Sequence, residues 1–357
     1  MGGGERVAVH SIKAAVDRGD AVTLVSESFD VELFEEFFGC NGLFNQVQMV
    51  TYPEFRVRLN KLTLYRRLLY HQLRQKRALR GCEDFDLLLS TQDIGYVPDV
   101  EVPAVQYCQF PEYYSHLESN PFSPWWRLYY SPARRFYRRK INRVETILCN
   151  SKYTQGFIKR VWSRDALNIY PPCPTEGYDQ ASSRENLVVS VGRLVPEKRF
   201  EDFLAMARQL PMLQFAIIGN IDKEKISYYN RMSLEKPANL EVLVAPPYKT
   251  LRKVLSHSKV YVHCMKNEHF GIAMVEAMAA GCVPVVHDSG GPREIVTHDV
   301  GYRWRELSEA IEQISTLMKD EGLRLKLSAA ARERAKLFSP EVFESKLSSV
   351  LDQYNCQ

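Results

Sequence analysis

Five short apolar runs in the second half of the chain constrain its fold more than any other feature. They are NLVVSVG (186–192), LQFAIIG (213–219), NLEVLVA (239–245), KVYVHC (259–264) and CVPVVH (282–287). Each is rich in Val and Ile with apolar side chains at successive positions, so a strand formed there must be covered on both faces. Between them lie PEKRFEDFLAMARQL, KISYYNRMSLEK, YKTLRKVLSHS and FGIAMVEAMAAG, each suited to a helix. Strands buried on both sides and joined by helices belong to a parallel sheet, so this half reads as a doubly wound α/β domain.

The first half repeats the scheme less cleanly, with strand candidates AVTLVSE (21–27), QVQMVTY (46–52), DFDLLLST (84–91), PAVQYCQF (103–110) and ETILCNS (145–151). A chain of 357 residues exceeds the roughly 250–300 at which a single core stops growing. The stiff segment YPPCP (170–174) is the natural crossing, and after about residue 305 only helical patterns remain. The expected architecture is therefore two Rossmann-like doubly wound domains facing across a cleft. Residues 1–172, joined by a C-terminal helix over 340–357, make one, and residues 173–339 make the other.

Composition supports folded domains: 45% of residues are hydrophobic and 25% charged, which excludes long disorder. No apolar run approaches the roughly 18 residues of a membrane span. MGGGERVAVH lacks the basic start and apolar core of a signal peptide, and the eight cysteines are scattered without a CxxC pair. Scattered cysteines in a chain this long fit small buried hydrophobes in a reducing, cytoplasmic compartment.

Ligands of such sheets sit beyond the carboxyl ends of the strands, where loops enter helices. NEHFGIAMVEAMAAG (267–281) occupies such a place. From Gly271 to Ala280 every residue but Glu276 is small or apolar, so the helix is expected to start near Phe270 or Gly271 and to be buried. Its first amides make an anion site suited to a diphosphate. Glu268 stands before the helix and Glu276 about two turns into it. A carboxylate only accepts hydrogen bonds, so sugar and ribose hydroxyls are natural partners; a buried arginine such as Arg293 holding Glu276, with Glu268 capping the helix, is the alternative. In VSVGRLVPEKRFEDFL (189–204), Arg193 and Lys198 follow the first strand, where a phosphate is expected, although loop cations are commonly just solvated. HDSGGPREIV (287–296) supplies a tight turn after the last apolar run.

Together, GRLVPEK, EHFGIAMVEAMAAG and SGGPREIV resemble the nucleotide-sugar domain of the retaining glycosyltransferases of family 4, which have the GT-B fold. The match spans roughly residues 185–300. Its wording is nearest to members, eukaryotic and archaeal, that transfer α-1,2-linked mannose from GDP-mannose to a dolichol-linked oligosaccharide. The resemblance implies that Arg193 and Lys198 neutralise the donor diphosphate and that Glu268 holds hydroxyls of the transferred sugar. It further implies that the amides near Phe270, Gly271 and Ile272 meet sugar and phosphates, that Glu276 binds the ribose, and that neither cofactor nor metal is needed. GGGERVAVHSIKAAV resembles the family's glycine-rich loop, with Gly2 and Gly3 at the pair approaching the donor phosphates. A strand precedes that loop in the family, so the central strand of the first sheet is expected to be missing here, through a late start assignment or a shortened chain. Gln109 stands where relatives carry a histidine near the transferred sugar, and it cannot act as a base near neutral pH; a strand-end glutamine with purely local partners is the other reading.

The net charge of +4 is unevenly placed: Arg56–Arg80 and Arg127–Arg143 hold sixteen basic residues and no acidic one. With Leu59, Leu62, Tyr65, Leu69 and Leu73 at helical spacing, and Trp125 beside the second cluster, these stretches suit an anionic lipid surface, unless the leucines pack inward. No nucleic-acid module accompanies them. The expectation is an enzyme peripheral on the cytoplasmic face of a membrane, moving mannose from GDP-mannose to a lipid-linked glycan. A related transferase using UDP-GlcNAc or UDP-glucose, and a non-catalytic glycan- or lipid-binding protein on the same fold, are the alternatives.

Overall fold

The computed structural model describes residues 2–55, 63–80, 82, 85–111, 124–179 and 184–354. It divides into Met1–Pro172 with Glu341–Gln357 as one unit and Cys173–Pro340 as the other.

The first unit runs α1 (Gly3–Asp17), β1 (Thr23–Glu27), α2 (Val31–Phe38), β2 (Gln48–Tyr52), α3 (Thr63–Leu79), β3 (Leu88–Ser90), β4 (Ala104–Cys108), α4 (Pro124–Arg143), β5 (Thr146–Cys149), α5 (Lys152–Trp162) and β6 (Leu167–Asn168). All pairings are parallel, in two sheets, β1-β2 and β3-β4-β5-β6. Among the described residues no strand pairing joins them. Helix α1 serves both sheets. Val7 and Ala14 pack with Val105, Tyr107 and Leu148, while Val9 and Ile12 pack with Leu43 and Phe44.

Helices α3 and α4 lie side by side over the second sheet, through Leu68, Ala133, Tyr137 and Ile141. Lys140 is buried yet donates to Asp99 at 2.8 Å and to Gln72 at 3.0 Å. Leu69 and Leu73 do not take the inward packing that was the alternative for the stripe of α3. Leu68, His71 and Gln75 are the buried residues, whereas Leu69 and Leu73 are 61% and 60% exposed. One helix position separates Leu68 from Leu69, about 100° of rotation, and Leu68 is the leucine that meets α4. Residues 56–62 of the first basic cluster, including Leu59 and Leu62, lie outside the described residues.

The second unit runs β7 (Glu185–Val191), α6 (Phe200–Gln209), β8 (Gln214–Gly219), α7 (Ile226–Glu235), β9 (Leu240–Val244), α8 (Tyr248–His257), β10 (Ser258–His263), α9 (Ile272–Ala280), β11 (Val283–His287), α10 (Pro292–Ile295), β12 (Tyr302–Trp304), α11 (Leu307–Lys319) and α12 (Glu321–Ala335). Helix α13 (Pro340–Leu351) follows, and Glu344 ties it to α1 of the first unit by accepting from Lys13 and lying 2.7 Å from His10 Nδ1. The second unit's sheet is wholly parallel in the order β12-β11-β10-β7-β8-β9. Its central strands are covered on both faces, as their composition requires, and β12 adds a short sixth strand that three residues of mixed polarity did not announce.

Helix α9 is buried along its length and starts at Ile272, just after the left-handed Gly271. Its carboxyl end is unusually well supplied with donors. Gly281 takes φ +88°, Arg184 and Arg332 both donate to the Ala280 carbonyl, and Ser328 donates to that of Gly281 at 2.6 Å. Two guanidinium groups thus meet the negative end of the helix dipole and its otherwise orphaned carbonyls. The described cysteines are all free, and Cys108, Cys149, Cys173, Cys264 and Cys282 are buried.

A Cβ at Gly281 would lie 2.4 Å from Arg332 Nε, in a backbone region that side chains disfavour. Gly281→Ala is expected to destabilise the protein by ~1–3 kcal/mol, read as a lower urea midpoint. An unchanged midpoint would show that the cap contributes little.

Candidate active site

The chain leaves β7 towards β8 and β9 on one side, whereas β10, β11 and β12 build the other side. The order therefore reverses between β7 and β10, and the loops after these two strands open the crevice where such sheets hold ligands. The loop after β7 carries Gly192, Arg193 and Lys198. It is pressed against the loop after β8, since a Cβ at Gly219 would fall 1.8 Å from the Gly192 carbonyl oxygen. The segment expected to open α6 is instead a 3-10 turn, Pro196–Lys198, which aims the Lys198 side chain back across Gly192. Lys198 Nζ ends 2.5 Å from Glu268 Oε2. Arg193 is exposed, and among the described residues it forms no ion pair.

The loop after β10 is held from below by the turn after β11. Ser289 Oγ accepts the Asn267 N–H at 2.8 Å, and the Gly291 N–H donates to the Glu268 carbonyl at 2.8 Å. A Cβ on Gly290 would lie 2.3 Å from the Glu268 oxygen, and one on Gly291 2.4 Å from that of His269. The SGGP turn is thus a backbone clamp on the glutamate loop, and its two glycines permit the approach. The clamp is itself buttressed by His287, whose Nδ1 lies 2.9 Å from Ser289 Oγ.

Glu268 is 13% exposed. Burial resists its ionisation, but the Lys198 ammonium and the His263 ring outweigh burial and hold the carboxyl well below the usual carboxylate range. His263, at the end of β10, places Nε2 3.3 Å from the same Oε2. Burial lowers the pKa of this ring, against the pull of Glu268, and the Lys198 charge lowers it further. The buried Tyr261 phenol lies 3.3 Å from His263 Nδ1. Burial first, then the charges of Glu268 and Glu276 with the Cys264 thiol, push it well above its ordinary value.

Glu276 is 7% exposed, and Oε1 accepts a 2.8 Å hydrogen bond from Tyr248, the first residue of α8. The Arg252 guanidinium lies over the Tyr248 ring at 5.5 Å and over Tyr178 at 5.3 Å. The pairing of Glu276 with Arg293 does not form, because Arg293 extends to Asp288 at 3.1 Å from the far side of the turn. The Phe270 side chain is buried against Phe338 at 5.6 Å. The first amides of α9 have no acceptor inside the helix.

Lys198, Glu268 and Gly271 thus meet in the second unit, with Ile272 and Glu276 following in α9 and Arg193 exposed in the same loop as Lys198. Gly2, Gly3 and Gln109 belong to the first unit. Gly2 precedes α1 and donates its N–H to Glu5 at 2.9 Å, and Gly3 is the first residue of that helix. Gln109 ends β4, where its carbonyl accepts from Asn150 at 2.7 Å. Its side chain lines a cavity of about 180 Å³ with Thr91, Gln92, Asp93, Phe110 and Trp162. His263, Tyr261 and Tyr248 were missed from sequence, although a histidine closing the apolar run KVYVHC was the available signal.

Because the folded pKa of Glu268 is depressed, the stability it supplies is complete above the ordinary value of 4.5 and is lost as pH falls through the folded value. Glu268→Gln removes that titration. The difference in melting temperature between the two proteins is expected to be constant from pH 7 to 5 and to shrink below pH 4.5; a pH-independent difference would rule out the ionised pair.

Comparison with known proteins matches residues 1–172 to the model described as Glycosyltransferase Family 4 and residues 179–334 to that described as Glycosyl transferases group 1. Among curated relatives, the GDP-Man:Man(3)GlcNAc(2)-PP-Dol alpha-1,2-mannosyltransferase of Xenopus laevis is 30% identical over 61% of this chain and 50% of its own. Its human counterpart is 30% identical over 58% and 48%, and that of Dictyostelium discoideum 26% over 64% and 52%. The chain spans about half the length of the curated relatives it matches. Among solved structures, Anabaena HepE in complex with UDP and glucose superposes with a TM-score of 0.74 at 16% identity, covering 99% of this chain and 96% of that one. Sucrose-phosphate synthase from Thermosynechococcus elongatus gives 0.76 at 14%, covering 96% and 91%. Both share the fold. With matched models running through both halves and a basic, glutamate-lined rim at the switch point of the second, the chain belongs to the glycosyltransferases, in the GT-B fold of family 4.

Proposed function

We propose that the protein transfers mannose, with retention, from GDP-mannose to a lipid-linked glycan. The observation that carries this reading is the meeting of Lys198 and Glu268 at the switch point, with Arg193 exposed beside them. Charge builds on the departing diphosphate during transfer, and fixed cations with helix amides are suited to stabilise it. Lys198, Arg193 and the first amides of α9 fill that role without a metal. Glu268 then holds hydroxyls of the moving sugar, and Glu276 those of the ribose. The choice of mannose, GDP and a dolichol-type acceptor follows the relatives' names.

The acceptor's lipid also fits the outer surface of α3 and α4. There Leu69, Leu73, Trp125 and Leu128 are 60–79% exposed among arginines, a pattern that suits peripheral contact with an anionic bilayer, here the cytoplasmic face. Among the described residues no helix is long and apolar enough to cross a membrane.

Calorimetric titration with GDP, UDP and ADP is expected to give tightest binding for GDP, and Glu276→Gln to weaken it about tenfold, ~1.4 kcal/mol. Tightest binding of UDP would favour a UDP-sugar transferase, and GDP binding without turnover of any nucleotide sugar would favour a binding protein. Serine at positions 69, 73, 125 and 128 is expected to reduce partition onto phosphatidylserine-containing vesicles by more than about tenfold. Unchanged partition would remove these helices from the membrane contact.

A further inference from the structure

Lys198 has two claims on it. In this structure it is the close partner of Glu268, 2.5 Å away, yet the proposed transfer needs its charge on the donor diphosphate. A lysine has three donors on one nitrogen, but a dianionic diphosphate draws that nitrogen towards itself. Glu268 would then be left 13% exposed with its principal cation withdrawn from Oε2, while Oε1 keeps the His269 N–H at 3.1 Å, and a buried carboxylate oxygen without a donor is costly. His263 is the group placed to meet this problem. It is 4% exposed at the end of β10, and its Nε2 lies 3.3 Å from the same carboxylate oxygen.

Resting on the functional reading above, we infer that His263 is a positioning residue that keeps Glu268 in register while Lys198 is handed over to the donor diphosphate. This role requires one tautomer of the ring. In it the Tyr261 hydroxyl, 3.3 Å away, donates to Nδ1, and the ring proton sits on Nε2, 3.3 Å from Glu268 Oε2. The ring is neutral, since burial disfavours its charged form. A neutral N–H donor orients the carboxylate without competing for the phosphate, as a second cation would.

The experiment compares His263→Phe, His263→Asn and the unaltered chain in steady-state transfer from GDP-mannose, beside GDP affinity and melting temperature. His263→Phe is expected to lower kcat about 10- to 100-fold, as loss of an orienting partner typically does, with KM and GDP affinity within about threefold. His263→Asn, which keeps an N–H donor, recovers a substantial part of kcat. Equal losses in the two variants, a loss confined to KM, or no loss would overturn the inference. Nitrogen-15 NMR of the ring in the unaltered chain decides it independently of turnover: the Nε2–H tautomer is expected with and without saturating GDP, and an Nδ1–H tautomer or an imidazolium would overturn it. If the unaltered chain turned over no nucleotide sugar, the functional reading would fall while the ring spectrum still tested the placement of His263.

Discussion

A carboxylate that is nearly out of water persists as an anion only where cations and donors are brought to it, and Glu268 is the point to which the second unit delivers them. Lys198 arrives from the loop after β7, His263 from the end of β10, and the clamp that holds the loop in place from the turn after β11. None of these is near Glu268 by accident of sequence. The parallel order β11-β10-β7 sets three carboxyl ends side by side, so segments distant in the chain converge on one residue, Lys198 and His263 on its Oε2 and the turn after β11 on its backbone carbonyl. Helix α9 completes the arrangement: the arginines at its far end donate to the Ala280 carbonyl, while its near end, whose first amides have no acceptor within the helix, follows the glutamate loop.

The frame of this site was legible because its causes are local. Continuous apolar runs force two-sided burial, and a ten-residue helix with one polar side chain cannot lie on a surface. The five long strands of the second unit and the burial of α9, with Glu276 on it, follow from that alone, and the loop positions of Lys198 and Glu268 follow from strand ends. What was not legible depends on which neighbour a side chain meets. His263 looked like the last residue of a core strand, and nothing local marks its ring as facing Glu268 rather than the sheet. Tyr248 reaches Glu276 from another helix altogether. Arg293 was an eligible partner for Glu276 until the turn direction sent it to Asp288.

Helix α3 shows the same limit in reverse. Its leucines recur at helical spacing, and spacing alone makes Leu69 and Leu73 candidates for the core. The neighbouring helix α4 contributes Tyr137 and Ile141 on the Leu68 side, which turns the other pair outward. Two-residue β6 and three-residue β12 escaped for a simpler reason: they are too short for a periodic signal to rise above their flanks.

The contact between the SGGP turn and the glutamate loop is made by main chain on main chain, with glycines at both closest points. Contacts of that kind leave natural variation and protein engineers very unequal freedoms. A side chain such as Tyr248 can be exchanged without moving the main chain of the clamp. Any residue heavier than glycine at 290 or 291 instead displaces the carbonyls of Glu268 and His269, so the glutamate loop and its supporting turn can be inherited, grafted or redesigned only as one piece.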